Sequence, residues 1–424
     1  MIIRTNIKHI EVNILRLYFL MLILEGPIRY ICVMLGISWA VYIKDALLVT
    51  VFGLYAIAGI KARYIVCIAV LLGYSVYGSI ILKSASQPAF ALLKNYLPFF
   101  VGVALGEALR DEELYKKFIA ALRRMFVLSI FGLFLNFFVE YPWTRMEYRI
   151  SSFEFVIARG LRIHGVRRLE GFMRSSADFS TMIAVFGFMI ISHEKSRSKR
   201  IIYYALMLLC AYLSTTKGTI LALVVIYALI AFYINNKQLR SVKEKIVIRA
   251  IGVVMVTLPL ISNQFKLLLK LLISFGKKNR KMYLVLSAIE RMTYVWPKTI
   301  SIIKDNGNMV FGRGIGGIGS AQHLTENYLY TPCDNSFLFL LGTFGMVGVF
   351  FVYLLIRRAD VLIDNSDRSL VYQGMIRIIE FVLLYGIIGA IEESPIIVII
   401  IGAIIEYSFV PQESCEKVAA ASNA

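Results

Sequence analysis

Residues 312–348 read GRGIGGIGSAQHLTENYLYTPCDNSFLFLLGTFGMVG, and they carry the clearest architectural signal in the chain. The first part of this stretch is polar and rich in glycine, whereas the part after Asp334 is apolar and carries three further glycines. A long apolar run predicts a helix that lies in a membrane. Asp334 therefore stands at the mouth of such a helix, where a carboxylate is costly unless it has a partner or a chemical task.

The composition of the whole chain indicates the same class of protein. Hydrophobic residues make up 58% of the 424 residues, aromatic residues make up 13%, and the mean hydropathy is +0.72. Apolar runs long enough to cross a bilayer recur along the chain, and we expect about twelve transmembrane helices. The sequence therefore predicts an all-α, polytopic integral membrane protein with a single membrane domain over residues 1–424. The first span, 12–43, is interrupted by Glu25-Gly26-Pro27, so it is a bent helix, a re-entrant piece or two spans.

Short loops indicate the orientation of these helices. Five stretches concentrate lysine and arginine on one side, which the positive-inside rule makes cytoplasmic. They are Lys61 with Arg63, 110–124, 195–200, 237–249 and 357–358. Both termini are then cytoplasmic, and two long loops, 140–171 and 263–334, face outward. We expect the second loop to form an ordered cap with short amphipathic helices. The leucines at helical spacing that predict such a helix are Leu267, Leu268, Leu271 and Leu272.

Both outward loops are strongly basic. The first holds six arginines and is followed by Arg174, and the second includes the basic run 277–281 together with Arg291 and Arg313. One interpretation is a solvated surface attracted to anionic lipid headgroups, and it stays open for the run 277–281. For the first loop we favour a phosphate-binding site, because guanidinium groups bind phosphate through paired hydrogen bonds and stay charged. Aromatic residues such as Trp296 accompany these charges as interfacial anchors or as flat surfaces for sugar rings.

Other classes of function find little support. A net charge of +19 would suggest nucleic-acid binding in a soluble protein, but here the charge is spread over both membrane faces without a recognised binding motif. Residues 314–319 match GxGxxG but lack the strand and the helix that flank a dinucleotide site. The four histidines and five cysteines show no metal-ligand spacing. We therefore expect no nucleic-acid partner, no metal site and no cofactor.

Four motifs occur in order along the chain, all on the outward side. They are RLEGF at 168–172 with SSA at 175–177, LSTTKGT at 213–219, Arg291 and Trp296 followed by GRGIG at 312–316, and DNSFL at 334–338. In order and sidedness they resemble the superfamily of O-antigen polymerases and O-antigen ligases, integral membrane glycosyltransferases of the bacterial envelope. The resemblance covers residues 165–355 by motif and the whole chain by topology, and it implies a GT-C-like membrane fold.

The resemblance implies a reaction between two lipid-linked substrates. The donor is a growing glycan on undecaprenyl pyrophosphate, and the acceptor is a sugar hydroxyl of another lipid-linked repeat unit. Such a protein lies among the lipids of the bacterial inner membrane, with its active site facing the periplasm, and can work with a chain-length regulator protein. Arg168 and Arg291 then form a metal-independent clamp for the pyrophosphate, supported by Arg174, Lys217 and Arg313.

Two departures from the superfamily pattern bear on the branch. Lys217 stands where an arginine is frequent; it keeps the charge but loses the forked geometry. Members of the ligase branch resemble one another in having a histidine immediately before the asparagine of the last motif, and here that residue is Asp334. This favours a polymerase. The alternatives are a ligase-type glycan transferase and an exporter of lipid-linked oligosaccharides, although the unlike halves of the chain do not fit a transporter built from repeats.

We assign the general base for the acceptor hydroxyl to Asp334, because partial burial would raise the pKa of its carboxyl group toward a useful value. The alternative is that Asp334 caps the helix that follows it. Glu392 and Glu393 form a second acidic pair at the outward end of the eleventh span. They belong to a turn before the next helix, or they act as counter-ions for the arginines, or they supply an alternative base.

Overall fold

The computed structural model describes residues 2–150, 153–163, 166–234, 240–265, 283–365 and 370–409. In these segments the chain is mostly helical, as its composition predicted, and short strands form two antiparallel hairpins. The predicted amphipathic helix at 267–272 and the basic run 277–281 lie outside the described residues.

The helices follow one another in the order that the apolar runs predicted. They are α1 (Ile2–Ile23), α2 (Glu25–Met34), α3 (Ile43–Gly59), α4 (Ala62–Ile81), α5 (Ser86–Ala91), α6 (Leu97–Ala108), α7 (Glu112–Phe138), α8 (Ser176–Ser192), α9 (Arg197–Leu213), α10 (Lys217–Ile234), α11 (Arg240–Ile261), α12 (Tyr283–Glu290), α13 (Trp296–Asp305), α14 (Ser336–Phe344), α15 (Gly348–Asp364), α16 (Leu370–Gly386) and α17 (Pro395–Tyr407). The strands β1 (Glu147–Ile150) and β2 (Phe153–Val156) form one hairpin, and β3 (Arg162–Ile163) and β4 (Val166–Arg167) form the other.

Among the described residues, five helices are long and apolar enough to cross a membrane, or up to six if one bent pair counts as a single span. The five are Ser38–Gly59, Ala62–Ile81, Ser86–Ala108, Glu112–Phe138 and Ser336–Asp364. Three shorter apolar helices, Ser176–Ser192, Lys217–Phe232 and Pro395–Tyr407, accompany them. The helices support an all-α membrane protein, and the count of about twelve spans stays a prediction.

The interrupted first span is a bent helix pair. The axes of α1 and α2 differ by 77°. Pro27 explains the position of the break, because proline has no N–H to donate to the carbonyl of Ile23, four residues earlier. The bend brings α2 against the segment before α8, where the Gly26 amide donates to the Phe172 carbonyl at 2.8 Å.

Close contact between α6 and α17 forms the tightest helix pair in the described bundle. A Cβ atom on Gly102 would overlap the Ile399 carbonyl, and one on Gly402 would overlap the Phe99 carbonyl. Small residues of this kind let two helix backbones approach within a membrane. The pair connects the two ends of the molecule, since Glu392 precedes α17 and Glu406 lies in its last turn.

Basic residues that the charge pattern placed on one side meet at one end of the bundle. The buried Glu406 carboxylate accepts hydrogen bonds from Lys61, from Arg63 at 2.6 Å and from Arg110 at 2.6 Å. Glu107 likewise pairs with Arg4 at 2.7 Å. We call this the basic end of the bundle. Its assignment to the cytoplasm stays a prediction.

The glycine-rich loop 312–319 packs at the opposite end. The Arg313 amide donates to the Gly342 carbonyl at 2.7 Å, which joins the loop to α14. Gly314 has φ +81°, and a Cβ atom there would overlap Gly78 near the end of α4. Glycine accepts a positive φ and allows backbones to touch. The loop is therefore wedged between α4 and α14.

The candidate span Ser336–Asp364, which contains the apolar run after Asp334, is broken within its length. The chain turns at Gly345, where φ is +62°, and a Cβ atom on Gly348 would lie 2.8 Å from the Leu340 backbone. Residues eight apart in a straight helix are about 12 Å apart along the axis. The break separates α14 from α15, so α14 is a short helix that begins at the candidate site.

Candidate functional site

Asp334 lies in the connection that leads into α14. Its side chain is 30% exposed, and its carboxylate accepts a hydrogen bond from Arg291 Nε at 3.0 Å. Cys333 and Asp334 both have left-handed backbones, with φ +60° and +47°. Left-handed geometry is tolerated by aspartate but is uncommon for cysteine, and such outliers concentrate at functional sites.

Asn335 caps α14. Its Oδ1 accepts from the Leu338 amide at 2.8 Å, and its Nδ2 donates to the Ile387 carbonyl at 3.0 Å. The interpretation of Asp334 as the helix cap is therefore wrong, because the neighbouring residue takes that part. Burial raises the pKa of the Asp334 carboxyl group above its ordinary value, and the ion pair with Arg291 opposes this rise. Its assignment as the base stays a prediction.

Three of the predicted cations come together beside Asp334. Arg168 follows β4, Lys217 begins α10 after the tight turn at 214–216, and Arg291 follows α12. The charges of Arg168 and Arg291 are close enough to act on the Lys217 ammonium group. We call these three residues the cation cluster. Repulsion among its members is reduced by any anion that binds between them.

Tyr385 of α16 closes the cation cluster on one side. The charges of Asp334, Arg291 and Arg168 all act on its phenol. A Cβ atom on Gly218 would lie 3.3 Å from the Tyr385 ring, so the glycine lets α10 approach α16 at this point. Sequence reasoning missed this tyrosine because it stands in an apolar run with no motif around it.

Arg174 faces a group of charges other than the cation cluster. Burial lowers the pKa of its guanidinium, and nearby Arg29 acts in the same direction while Glu25 opposes it. Its Nε atom is buried and has no hydrogen-bond partner among the described residues. Glu25 itself pairs with Arg29 and, at 2.7 Å, with Lys44. Sequence reasoning did not predict this N-terminal group of charges.

Arg313 is placed apart from the other predicted cations. Its side chain is 2% exposed, and each of its three guanidinium nitrogens is engaged within the cap. Nε donates to the Asn306 carbonyl at 3.1 Å, Nη1 to the Gly317 carbonyl at 2.6 Å and Nη2 to Glu326 at 2.8 Å. These bonds hold the glycine-rich loop in shape, and the buried side chain is directed into the loop and away from the cation cluster.

Trp296 packs against the backbone of Asp334. The residue is 1% exposed, and its indole nitrogen donates to the Asp334 carbonyl at 3.3 Å. The predicted sugar contact is not available to a ring that is buried in this way. Its observed contact positions the left-handed backbone at Asp334.

The acidic pair after α16 is divided between two tasks. Glu393 accepts from the Ser320 amide at 2.5 Å and so ties the end of the glycine-rich loop to the turn before α17. Burial raises the pKa of Glu392 to about 8, while a hydrogen bond with the Ser336 hydroxyl opposes the rise. Its Oε2 atom is buried without a hydrogen-bond partner in the described parts of the chain. A second protonatable carboxyl group thus lies at the start of α14.

The start of α8 adds an acidic residue at the edge of the site. Ser175 caps this helix by accepting from the Asp178 amide at 3.1 Å, and its hydroxyl donates to the Asp178 carboxylate at 2.6 Å. The charge of Asp178 acts on both Arg174 and Tyr385. A serine followed three residues later by an acidic residue is a signal for a helix start, and it locates this residue in the sequence.

The chain was compared with known proteins. No curated protein matches it. A family model described as O-antigen ligase matches residues 202–353, from α9 into α15, and this region contains Lys217, Arg291 and Asp334. Over this region, about a third of the chain, the protein is similar to the superfamily of O-antigen ligases and polymerases, which are membrane enzymes of the glycosyltransferase type.

Proposed function

We propose that this protein is a polymerase of O-antigen or of a related surface polysaccharide. It transfers a growing glycan from undecaprenyl pyrophosphate to a sugar hydroxyl of another lipid-linked repeat unit. The bond between the anomeric carbon and the pyrophosphate oxygen breaks, and a bond from the acceptor oxygen to that carbon forms. The hydroxyl proton passes to a base, and undecaprenyl pyrophosphate leaves with the bonding electrons. The observation that carries this proposal is the ion pair between Asp334 and Arg291, a member of the cation cluster.

The cation cluster serves the leaving group. Negative charge develops on the pyrophosphate as its bond to the sugar breaks, and preorganised cations stabilise that charge. Arg291 uses Nε for Asp334 at 3.0 Å and makes a long bond of 3.5 Å from Nη1 to the Ser287 carbonyl. A guanidinium held by one edge can present the other edge to a phosphate oxygen. Arg168 and Lys217 supply the further positive charges.

Asp334 serves the acceptor. A general base works best when its pKa lies near the working pH, and burial moves the Asp334 carboxyl group in that direction. Its hydrogen bond with Arg291 links the base to the clamp, so the acceptor oxygen and the leaving pyrophosphate are brought to the same place. Glu392 is the second candidate for this proton transfer, because it lies beside Ser336 at the same helix start.

The aspartate at position 334 favours a polymerase over a ligase, because members of the ligase branch resemble one another in having a histidine at this position. We place the protein in the bacterial inner membrane, with both termini in the cytoplasm and the site facing the periplasm. Its substrates are the two lipid-linked glycans, and a chain-length regulator is a further partner. The sidedness of the basic short loops supports this orientation.

Purified protein supplied with lipid-linked repeat units tests the reaction. We expect longer glycans on undecaprenyl pyrophosphate in detergent, without a membrane gradient. A parallel reaction offers an acceptor of the ligase kind, a lipid A core. Transfer to that core without elongation of the repeat units identifies a ligase, and the absence of any new glycosidic bond identifies an exporter; either result contradicts the proposal.

A further inference from the structure

A groove between α1 and α7 lies far from the candidate site. It has a volume of about 410 Å³ and opens on the outer surface of the bundle. Arg16 and Arg124 line it together with apolar side chains, among them Leu17, Leu20 and Leu128. Helix α7 is a candidate membrane span, and α1 belongs to the bent pair that forms a broken span or a re-entrant loop, so the groove lies on helices that suit contact with lipid.

The two arginines of the groove have no acidic counterpart. Arg16 Nη1 donates to Asn13 at 3.1 Å, but its Nε and Nη2 atoms are buried and have no hydrogen-bond partner within the described ranges. Arg124 makes a long bond of 3.4 Å from Nε to the Ala120 carbonyl. Neither arginine forms an ion pair with a described carboxylate, whereas the adjacent Arg123 lies 3.5 Å from Glu194.

Two neighbouring guanidinium groups on membrane helices are costly without a negative charge. Charged residues in such helices nearly always pair or reach the interface. The like charges of Arg16 and Arg124 repel each other, and the unpaired buried nitrogens of Arg16 add to the cost. An anion between the two guanidiniums removes both penalties, and phosphate is an anion that guanidinium binds through paired hydrogen bonds.

The groove lies toward the basic end. Glu194, the partner of Arg123, follows α8, and the other end of α8 is the Ser175–Asp178 start at the candidate site. A helix of 17 residues is about 25 Å long, close to the apolar thickness of a bilayer. Arg124 is therefore at headgroup level on the far side of the membrane from the site.

We propose that this groove binds an anionic phospholipid of the leaflet at the basic end. The phosphate of the headgroup lies between Arg16 and Arg124, and an acyl chain follows the apolar wall past Leu17, which is 49% exposed. The apolar wall favours a lipid over free phosphate, because phosphate has no acyl chain to pack against it. Basic pockets between membrane helices are known places for such headgroups. Bound in this way, the lipid joins α1 to α7 without touching the reaction.

Native mass spectrometry of the full-length, delipidated protein tests the site. Phosphatidylglycerol, phosphatidylcholine and inorganic phosphate are titrated separately. We expect wild type to retain one phosphatidylglycerol that Arg16→Gln/Arg124→Gln loses, with affinity lower by about tenfold or more for a lost charge-assisted contact. Arg123→Gln is the matched control, since that neighbouring arginine pairs with a carboxylate, and it should bind the lipid as wild type does.

Three results would overturn the proposal. They are unchanged phosphatidylglycerol binding in the double variant, equal retention of phosphatidylcholine by wild type, and full competition by inorganic phosphate at equal concentration.

If the double variant does not fold, the single variant Arg124→Gln replaces it, because this side chain is exposed and its loss leaves the core intact. Leu17→Trp places a larger side chain in the groove along the path of the acyl chain. This variant should weaken lipid binding while leaving phosphate binding unchanged. Equal lipid binding by these two variants and wild type also contradicts the site.

Discussion

Asp334 and Glu392 are two carboxyl groups that burial makes harder to ionise, and both flank the start of α14. Their surroundings differ. Asp334 is held by Arg291, which favours its ionised form, whereas Glu392 has a serine hydroxyl beside it and one buried oxygen without a described partner. A carboxyl pair with different environments can divide the tasks of base and neutral hydrogen-bond donor.

Replacement of Asp334 tests the assignment of the base. Asp334→Asn keeps the size and the left-handed backbone but cannot accept a proton, so we expect elongation to fall by about 10²–10⁴ while donor binding persists. Elongation rate and donor retention are measured on the same purified preparation. Asp305→Asn is the control, because that exposed carboxylate pairs with Ser301 away from the cluster. Near-normal elongation by Asp334→Asn would transfer the task to Glu392.

The cation cluster predicts a second set of rates. Arg168→Ala and Arg291→Ala each remove a contact made to the developing charge, and each should lower the rate by about 10²–10³. Arg291→Lys should restore only part of it, because an ammonium cannot hold Asp334 and a phosphate at once. Arg162→Ala serves as the control, since this exposed arginine pairs with Glu140 at 3.1 Å. Elongation at the wild-type rate in both alanine variants would contradict the assignment of Arg168 and Arg291 as the pyrophosphate clamp.

Glu392 predicts a dependence of stability on pH. The pKa of its carboxyl group is raised from 4.5 to about 8 in the folded protein. Between these values the folded protein holds a proton that the unfolded chain has released, so stability falls as the pH rises toward 8. Unfolding temperatures between pH 5 and 9 should show this decline in wild type and a flatter profile in Glu392→Gln. Glu147→Gln, at an exposed strand position, should follow wild type; identical profiles for all three would rule out the effect.

The helix after Asp334 was predictable, because an apolar run that follows a polar segment is typical of the start of a membrane helix. The 77° bend after α1 fits two of the three interpretations, a bent helix and a re-entrant piece, and Pro27 explains its position. The break at Gly345 was not predicted. A Cβ atom there would overlap the Val310 carbonyl, a contact from a loop 35 residues earlier that no local pattern reveals.

The glycine-rich loop gives a prediction about packing. Gly314→Ala places a Cβ atom onto Gly78 at a positive φ, and we expect a loss of more than about 1 kcal/mol in stability together with lower activity. Gly73→Ala, at a glycine that precedes Gly78 in α4, meets nothing within 4 Å and should be neutral or stabilising by up to about 1 kcal/mol. Thermal unfolding in detergent compares the two. Equal unfolding temperatures would show that the loop does not need its close approach.

Across the molecule, sequence reasoning collected Arg168, Lys217, Arg291 and Asp334 because motif order and sidedness put them at the same membrane face. It could not distinguish a cation that faces the site from one that the loop uses for itself. The acceptors of Arg313 are largely backbone carbonyls of its own loop, and carbonyls carry no signature in a sequence. The burial of Trp296 could not be predicted for the same reason, because its hydrogen-bond partner is the backbone oxygen of Asp334.

Orientation is tested on intact cells with a permeabilised outer membrane and a sealed inner membrane. Tyr328 is 80% exposed in the cap, and Tyr328→Cys should react with an impermeant thiol reagent from outside, relative to wild type. Ser198→Cys, exposed at the start of α9, should react only after the inner membrane is lysed. The reverse pattern would invert the topology and remove the periplasmic reaction with it.

The left-handed backbone at position 334 restricts what evolution can install there. Apart from glycine, the residues most often found in that conformation are asparagine, aspartate and histidine. Aspartate and histidine both carry a group that can exchange a proton, and histidine is the residue by which members of the ligase branch resemble one another here. The peptide geometry at this position accepts either side chain, so an exchange of one for the other needs no remodelling of the chain.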